Sequence, residues 1–272
     1  EGPKYAHLPL ILNPDRSKLS KRKGDVALVD YHKNGYLPEA IINFMVLLGW
    51  NPGTLLPNSG QAEKEIFSLS ELEKNFSLEK VQKAGAVFNI EKLNFINGFY
   101  IRQKPIEKLT QLCLPYLTDA GLLEKFNGDH KIISTGEEIT MIKLEKIIGA
   151  YKERLKKLSE IVELTDFFFK DKLDFPKEIL RWQKMEDNDV KEALLTLDGV
   201  LDGIDPERGE WNIKNIEEIL FSESIKFNNQ KGYQEKNRGY LLWPLRVALS
   251  GKKASASPFE IMKILGKEKT IK

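Results

Sequence analysis

The apolar positions of this chain fall into two regimes. Up to about residue 30 they form short runs, His7-Leu8-Pro9-Leu10-Ile11-Leu12 and Val26-Ala27-Leu28-Val29. Between them lie a polar turn, Asn13 to Ser17, and a cationic stretch, Lys18 to Lys23. The first run predicts a short buried strand. From Gly35 onward the spacing becomes helical. Pro38 suits a first helical turn, where its missing N–H costs nothing. Ile41, Ile42, Phe44, Met45, Leu47 and Leu48 predict a mostly buried helix closed by Gly49. Turns are expected at Asn51-Pro52-Gly53 and Pro57-Asn58-Ser59-Gly60. Ser68 to Glu71 is a capping-box pattern ahead of Leu72. Ser77 opens a further helix, and Asn89 caps another that ends at Gly98.

Breaks at Arg102-Gln103-Lys104-Pro105 and at Asp174-Phe175-Pro176 divide the rest of the chain. Between them, helices are expected from Ile106 to Gly121, from Ile139 to Ile148 and from Tyr151 to Val162, with a polar interval at Phe126 to His130. Beyond the second break, helices read from Pro176 to Met185, Asp189 to Leu201 and Trp211 to Phe221. A Gly/Asn-rich loop at Asn228 to Gly232 leads to a final helical stretch. Strand signal after residue 100 is nearly absent. The Phe167-Phe168-Phe169 trio, Cys113 and Trp182, Trp211 and Trp243 are expected in the core.

Composition narrows the function classes. With 272 residues there is room for two or three compact units, and 41% hydrophobic against 30% charged residues is an ordinary globular balance. The net charge of +2 does not announce a nucleic-acid partner, so any such surface must come from local clustering. One cysteine rules out an internal disulfide and a cysteine-based zinc site. No apolar run approaches the length of a membrane span, so no membrane partner is expected. The three histidines, His7, His32 and His130, have no partner at metal spacing. A G-x-S-x-G elbow, a G-x-x-x-x-G-K-[ST] loop and a G-x-G-x-x-G turn are all missing. The one remaining candidate for nucleotide chemistry is the cationic stretch behind the first apolar run. Ammonium groups on a loop can follow phosphate oxygens as they move and can stabilise charge on a leaving pyrophosphate.

Lys18-Leu19-Ser20-Lys21-Arg22 resembles the KMSKS loop of class I aminoacyl-tRNA synthetases, in the KLSKR spelling of bacterial-type glutamyl-tRNA synthetases. The flanks match too, Tyr5 to Leu12 before it, Gly24-Asp25-Val26 and Gly35 to Ala40 after it. Further stretches similar to that family occur in order: Leu47 to Trp50, Phe67 to Val81, Ala86 to Gly98, Asp166 to Phe169, Pro244 to Gly251 and Leu265 to Glu268. The resemblance implies a mainly α protein in four parts. Residues 1–30 would end a Rossmann-type catalytic domain, 31–102 form an α-rich stem-contact domain, and 103–174 and 175–272 form two helical anticodon-binding subdomains.

The activity implied is a two-step, ATP-dependent ligation. Glutamate attacks the α-phosphate to give glutamyl-adenylate, and the glutamyl group passes to the 3′-terminal adenosine of tRNA(Glu). Lys18 and Lys21 would be the catalytic pair, with Leu19, Ser20, Lys21 and Arg22 against ATP. Mg2+ is expected with the nucleotide. Lys152, Arg154, Lys156, Lys157, Arg238 and Arg246 are the expected tRNA contacts, with Arg154 reading a base. The family's other ATP motif, HIGH, does not occur, so the chain alone is expected to make no adenylate. A monomer in the cytoplasm is expected. The readings kept beside this one are a stand-alone, non-catalytic tRNA-binding module, part of a class I lysyl-tRNA synthetase, and a helical scaffold without nucleic acid.

Overall fold

A computed structural model describes residues 2–3, 5–19, 27–51 and 65–272. The turns expected around 52–53 and 57–60, and loop residues Ser20, Lys21 and Arg22, lie outside the described residues. Mainly helical structure is found, as the hydrophobic period demands, in two compact units. One takes Glu1–Tyr116 with Lys152–Ile161, the other Leu117–Tyr151 with Val162–Lys272.

In the first unit, β1 (Ile11–Leu12) runs parallel to β2 (Ala86–Val87). Three helices expected from sequence accompany this pair. These are α2 (Pro38–Leu47), α3 (Leu69–Asn75) and α4 (Ile90–Gln103), with a short α1 (Leu28–Lys33) ahead of them. Pro38 sits in the first turn of α2. Ser68 and Glu71 close the capping box of α3, and Asn89 accepts from the N–H groups of Glu91 and Lys92 at the start of α4. Trp50, Phe67 and Leu72 are buried with Val46, Leu47 and Val81 packed on them. Gly98 does not end α4. It lies inside, where a Cβ would stand 3.2 Å from the Leu155 carbonyl oxygen. The helix expected from Ser77 shrinks to a single turn, Leu78–Lys80. The strand expected over residues 7–12 is paired only at Ile11 and Leu12, and it is not buried: Leu8 and Leu10 are exposed.

Two buried asparagines tie this unit together. Asn97 Oδ1 accepts from the Leu37 N–H at 2.8 Å, and its Nδ2 donates to the carbonyls of Gly35 (3.2 Å) and Lys156 (2.6 Å). Asn43 Oδ1 accepts from the Phe67 N–H and the Tyr100 hydroxyl, and its Nδ2 donates to the Glu65 carbonyl. Both side chains are fully buried. The Leu158 N–H then donates to the Gly35 carbonyl at 3.0 Å, and Ser159 Oγ to the Asn34 carbonyl. Gly35 has φ +89°, and a Cβ there would stand 2.5 Å from two backbone nitrogens, so only glycine fits. These bonds explain why the helix expected from Tyr151 to Val162 is broken. Backbone groups at Lys156 and Leu158 pair with Asn97 and Gly35 and leave no helical ladder.

The second unit corrects the reading that strands are absent after residue 100. β3 (Leu123–Phe126), β4 (Asp129–Ile132) and β5 (Glu138–Ile139) form an antiparallel sheet in chain order. The turn between the first two is Asn127-Gly128, with φ +47° and +85°, the left-handed pair that a two-residue hairpin needs. The remaining helices are α6 (Met141–Tyr151), α7 (Glu160–Thr165), α8 (Asp187–Asp202), α9 (Ile213–Lys231), α10 (Gly239–Ser250), α11 (Pro258–Leu265) and α12 (Lys267–Ile271), while α5 (Ile106–Asp119) precedes the sheet. Gly149 is inside α6, not before a new helix. The helix expected over 176–185 is a single turn, Lys177–Leu180. α9 runs well past its expected end at Phe221, through the Asn-rich stretch to a left-handed Gly232. It does so because Asn228 points inward, its Nδ2 donating to the carbonyls of Gln234, Glu235 and Asn237. The Phe167-Phe168-Phe169 trio and Cys113 are buried, as expected.

Replacing Asn97 with Ala leaves the Leu37 N–H and the Lys156 carbonyl without their partner, while the Gly35 carbonyl keeps the Leu158 N–H. Each orphan costs about 1–3 kcal/mol, so a loss of roughly 3 kcal/mol or more is expected from urea unfolding. Gly35→Ala is expected to be comparably damaging, since the clash is with backbone. A pH dependence is also expected. Burial pushes the Cys113 thiol from 9.0 up to about 12. Burial, then the neighbouring Tyr31, Glu160 and Glu91, push the Tyr36 phenol from 10.0 up to about 12. A group with a raised folded pKa contributes fully below its unfolded value and loses that contribution as pH climbs to the folded one. Stability should therefore fall from about pH 9 towards pH 12, and Cys113→Ala should flatten the earlier part of that fall in urea titrations.

Candidate functional site

The root of the cationic loop is built by a tight turn. After β1, the Arg16 N–H donates to the Asn13 carbonyl and the Asn13 N–H to the Ser17 carbonyl, each at 2.8 Å. Asn13 Nδ2 reaches Ser17 Oγ at 3.1 Å, and the Ser17 N–H donates to Asp15 Oδ1 at 2.8 Å. Arg16 takes φ +63° at the corner. The chain then returns along β1: the Leu19 N–H donates to the Ile11 carbonyl at 3.0 Å, and Lys18 bridges Leu12 in antiparallel sense. Lys18 is exposed and Leu19 half-buried. The loop thus starts beside the carboxyl end of a parallel strand, the side of an open α/β sheet where ligands gather.

The basic segment after α6 belongs to the first unit, and its cations are used unequally. Lys152 lies in a single helical turn, Lys152–Arg154, and its Nζ donates to the Lys104 carbonyl at 2.7 Å, closing the end of α4. Arg154 and Lys156 are exposed. Lys157 is half-buried and lies 3.7 Å from Glu160 Oε1. Glu160 Oε2 also accepts the backbone N–H groups of Lys156 (2.8 Å) and Lys157 (3.1 Å). Together with the Asn97 and Gly35 bonds, these contacts fix the backbone that carries Arg154 and Lys156.

In the second unit, Arg238 is exposed, and its guanidinium stands 3.6 Å from the centre of the Phe221 ring. Arg246 is half-buried on α10. Its guanidinium lies 4.5 Å from the Trp243 ring centre and Nη2 donates to the Lys253 carbonyl at 2.8 Å. Trp243 packs at 4.8 Å on Trp182, and both indole N–H groups have partners, the Ile179 carbonyl and Asn237 Oδ1. Gly239 leaves the space that Trp182 fills, since a Cβ there would stand 2.2 Å from the indole nitrogen. Trp211 donates to the Met262 carbonyl, so all three tryptophans have structural uses.

Sequence reasoning missed several residues. Asn97 and Gly35 have no local signature, because their partners lie far along the chain. Asp166 stands out in the sequence only as part of an acidic-aromatic run. Its carboxylate is opposed by burial, yet Lys170 at 2.5 Å and Lys252 at 2.8 Å hold its pKa below the usual value. A stacked pair, Tyr233 and Tyr240, with ring centres 3.8 Å apart and Lys184 above Tyr233, has no periodic signal either. A cavity of about 1130 Å³ lies within the second unit, and none of the expected site residues lines it. Among the described residues, no three His, Cys, Asp or Glu side chains gather as a metal site would need, and no helix is long and apolar enough to cross a membrane.

Comparison with known proteins agrees along the whole chain. Residues 1–95 match the catalytic domain of class I tRNA synthetases (E and Q), and residues 108–272 match an anticodon binding domain. The glutamate–tRNA ligase of Alkaliphilus metalliredigens is 37% identical over 98% of this chain and 48% of its own length. That of Prosthecochloris aestuarii is 38% identical over all of this chain and 49% of its own. A crystal structure of a glutamate tRNA ligase from Elizabethkingia meningosepticum, in complex with its amino acid, superposes with a TM-score of 0.73 at 28% identity. It covers all of this chain and 50% of that one. The chain spans about half the length of the curated relatives it matches. With the anticodon-binding match alone taking in more than half of its residues, the chain belongs to the anticodon binding domain family, with a class I (E and Q) catalytic-domain match ahead of it.

Proposed function

We propose that this chain is the tRNA-holding part of a glutamate–tRNA ligase, together with the cationic loop of its ATP site. The observation that carries this reading is the ordered match from the strand before Lys18 to the last helix. The proposed reaction joins glutamate to tRNA(Glu) through glutamyl-adenylate. Lys21 is assigned to the phosphates of ATP as pyrophosphate leaves, and Lys18 to support of the loop. Leu19, Ser20 and Arg22 complete the ATP contacts. Mg2+ is assigned to accompany the nucleotide. The four-part division of the chain at 30, 102 and 174 is likewise our reading, as are a monomeric state and a cytoplasmic location.

For tRNA, the exposed Arg154 and Lys156 on their pinned backbone are the leading contacts. Lys157 and Arg238 are assigned as further tRNA contacts, and Lys152 and Arg246 act partly through the carbonyls they hold. Arg154 is assigned to a base edge, because a guanidinium can make two parallel hydrogen bonds.

The binding test is a mobility-shift titration of tRNA(Glu) at several salt concentrations. Affinity should fall as salt rises, and Lys156→Ala should make the slope shallower by about 0.7–0.9 for each phosphate no longer neutralised. Arg154→Ala should narrow the gap between tRNA(Glu) and tRNA(Lys). Binding that ignores salt, or a preference for tRNA(Lys), would reject the reading. The catalytic test has two arms. The chain alone should show no ATP–pyrophosphate exchange. In an active ligase carrying this loop, Lys21→Ala should slow exchange by about a hundredfold or more. An unchanged rate would remove Lys21 from the chemistry.

A further inference from the structure

The two arginines assigned to tRNA in the second unit are both seated on aromatic rings. The Arg246 guanidinium lies 4.5 Å from the ring centre of Trp243, one turn earlier on α10, and the Arg238 guanidinium lies 3.6 Å from that of Phe221 on α9. Both separations fall inside the range over which a ring face holds a cation. The rings are themselves anchored. Trp243 donates to the Ile179 carbonyl at 2.8 Å and is backed by Trp182. Trp182 is held in turn by Asn237 Oδ1, in the space that Gly239 leaves open. Phe221 meets the buried Phe259 edge-on at 5.6 Å. Arg246 is restrained in a second direction, since its Nη2 donates to the Lys253 carbonyl just past the left-handed Gly251.

We propose that Trp243 and Phe221 are positioning residues for tRNA binding, each fixing the guanidinium plane of its arginine and contributing to affinity through it. A long cationic side chain loose in solvent must be ordered when it meets a phosphate or a base edge. One whose plane is already set loses less freedom on binding. The seats suit arginine in particular. A flat guanidinium stacks on a ring and directs its N–H edges outward, whereas an ammonium is a point charge with no plane to orient. The two seats differ in origin. Trp243 and Arg246 are three residues apart on one helix, while Phe221 and Arg238 are brought together by the packing of α9 against α10. The inference rests on the reading that Arg238 and Arg246 contact tRNA.

The test is a pair of double-mutant cycles, read by mobility-shift titration of tRNA(Glu) well below each variant's thermal midpoint. Trp243→Met and Phe221→Leu should each weaken binding by about fivefold. Trp243→Phe keeps a ring face and should stay within about twofold of the parent. In an Arg246→Ala background Trp243→Met should have no further effect, nor should Phe221→Leu in an Arg238→Ala background. Each pair is judged by its own cycle. A ring that serves packing alone would lower the thermal midpoint and leave affinity unchanged, or would weaken binding equally without its arginine; either result overturns the proposal for that pair. Should a ringless variant not fold, the parent protein with labelled arginines gives the reading by NMR. The Arg246 and Arg238 Hε signals should be moved upfield by their rings and shifted again by tRNA(Glu), and signals indifferent to tRNA overturn the proposal. Parent-like affinity in Arg246→Ala and Arg238→Ala would instead reject the assignment of these arginines to tRNA, and the role of the rings with it.

Discussion

One buried carboxamide holds the first unit in register. Asn97 meets the Gly35–Leu37 backbone on one side and the Lys156 carbonyl on the other, through three hydrogen bonds and with no solvent access. An amide is suited to this because it presents donors and an acceptor from one planar group. A carboxylate would set a second oxygen against two carbonyls, and an apolar side chain would satisfy none of the three. Gly35 is the other half of the device. Its missing side chain lets the 158–159 backbone approach closely enough for the Leu158 N–H to bond. The helices around this point bury apolar faces that many sequences could supply, but the junction accepts one residue at each of these two positions.

Much of the fold was legible because helices announce themselves locally. Pro38 at the start of α2, the Ser68–Glu71 box and the Asn89 cap all appear where the spacing put them. The elements that stayed hidden were decided at long range. The segment after Tyr151 has helical spacing, yet its backbone bonds go to Asn97 and Gly35. The Asn-rich end of α9 looks like a loop until Asn228 is seen turned inward. The hairpin at Asn127-Gly128 is a different kind of miss. Its turn dipeptide is plain in the sequence, but the strands beside it are four residues long, too short for their alternation to stand out.

The candidate site was legible in part. The loop root at Lys18 comes after a strand as expected, and the match with known relatives runs on both sides of it. The basic residues were harder to rank from sequence, since a lysine that closes a helix and one that faces solvent have the same letter. Lys152 binds the Lys104 carbonyl just beyond α4, Lys157 shares Glu160, and Arg246 covers Trp243. Arg154 and Lys156 are the exposed pair on a backbone that those bonds immobilise. A cation whose backbone is fixed loses less freedom on meeting an anion than one on a loose loop.

The first unit is discontinuous in the chain, and that bears on how it is made. Asn97 lies 59 residues ahead of the Lys156 carbonyl it binds. On a translating ribosome moving at about 5–20 residues per second, the interval between the two is roughly 3–12 s. Over that time the Asn97 amide has its Leu37 and Gly35 partners within reach but not its third, while the whole antiparallel sheet and α6 emerge before the Lys156 carbonyl does. The nascent chain must therefore carry an incomplete first unit through the birth of the second, which makes synthesis order a constraint on this sequence as firm as any contact in the finished protein.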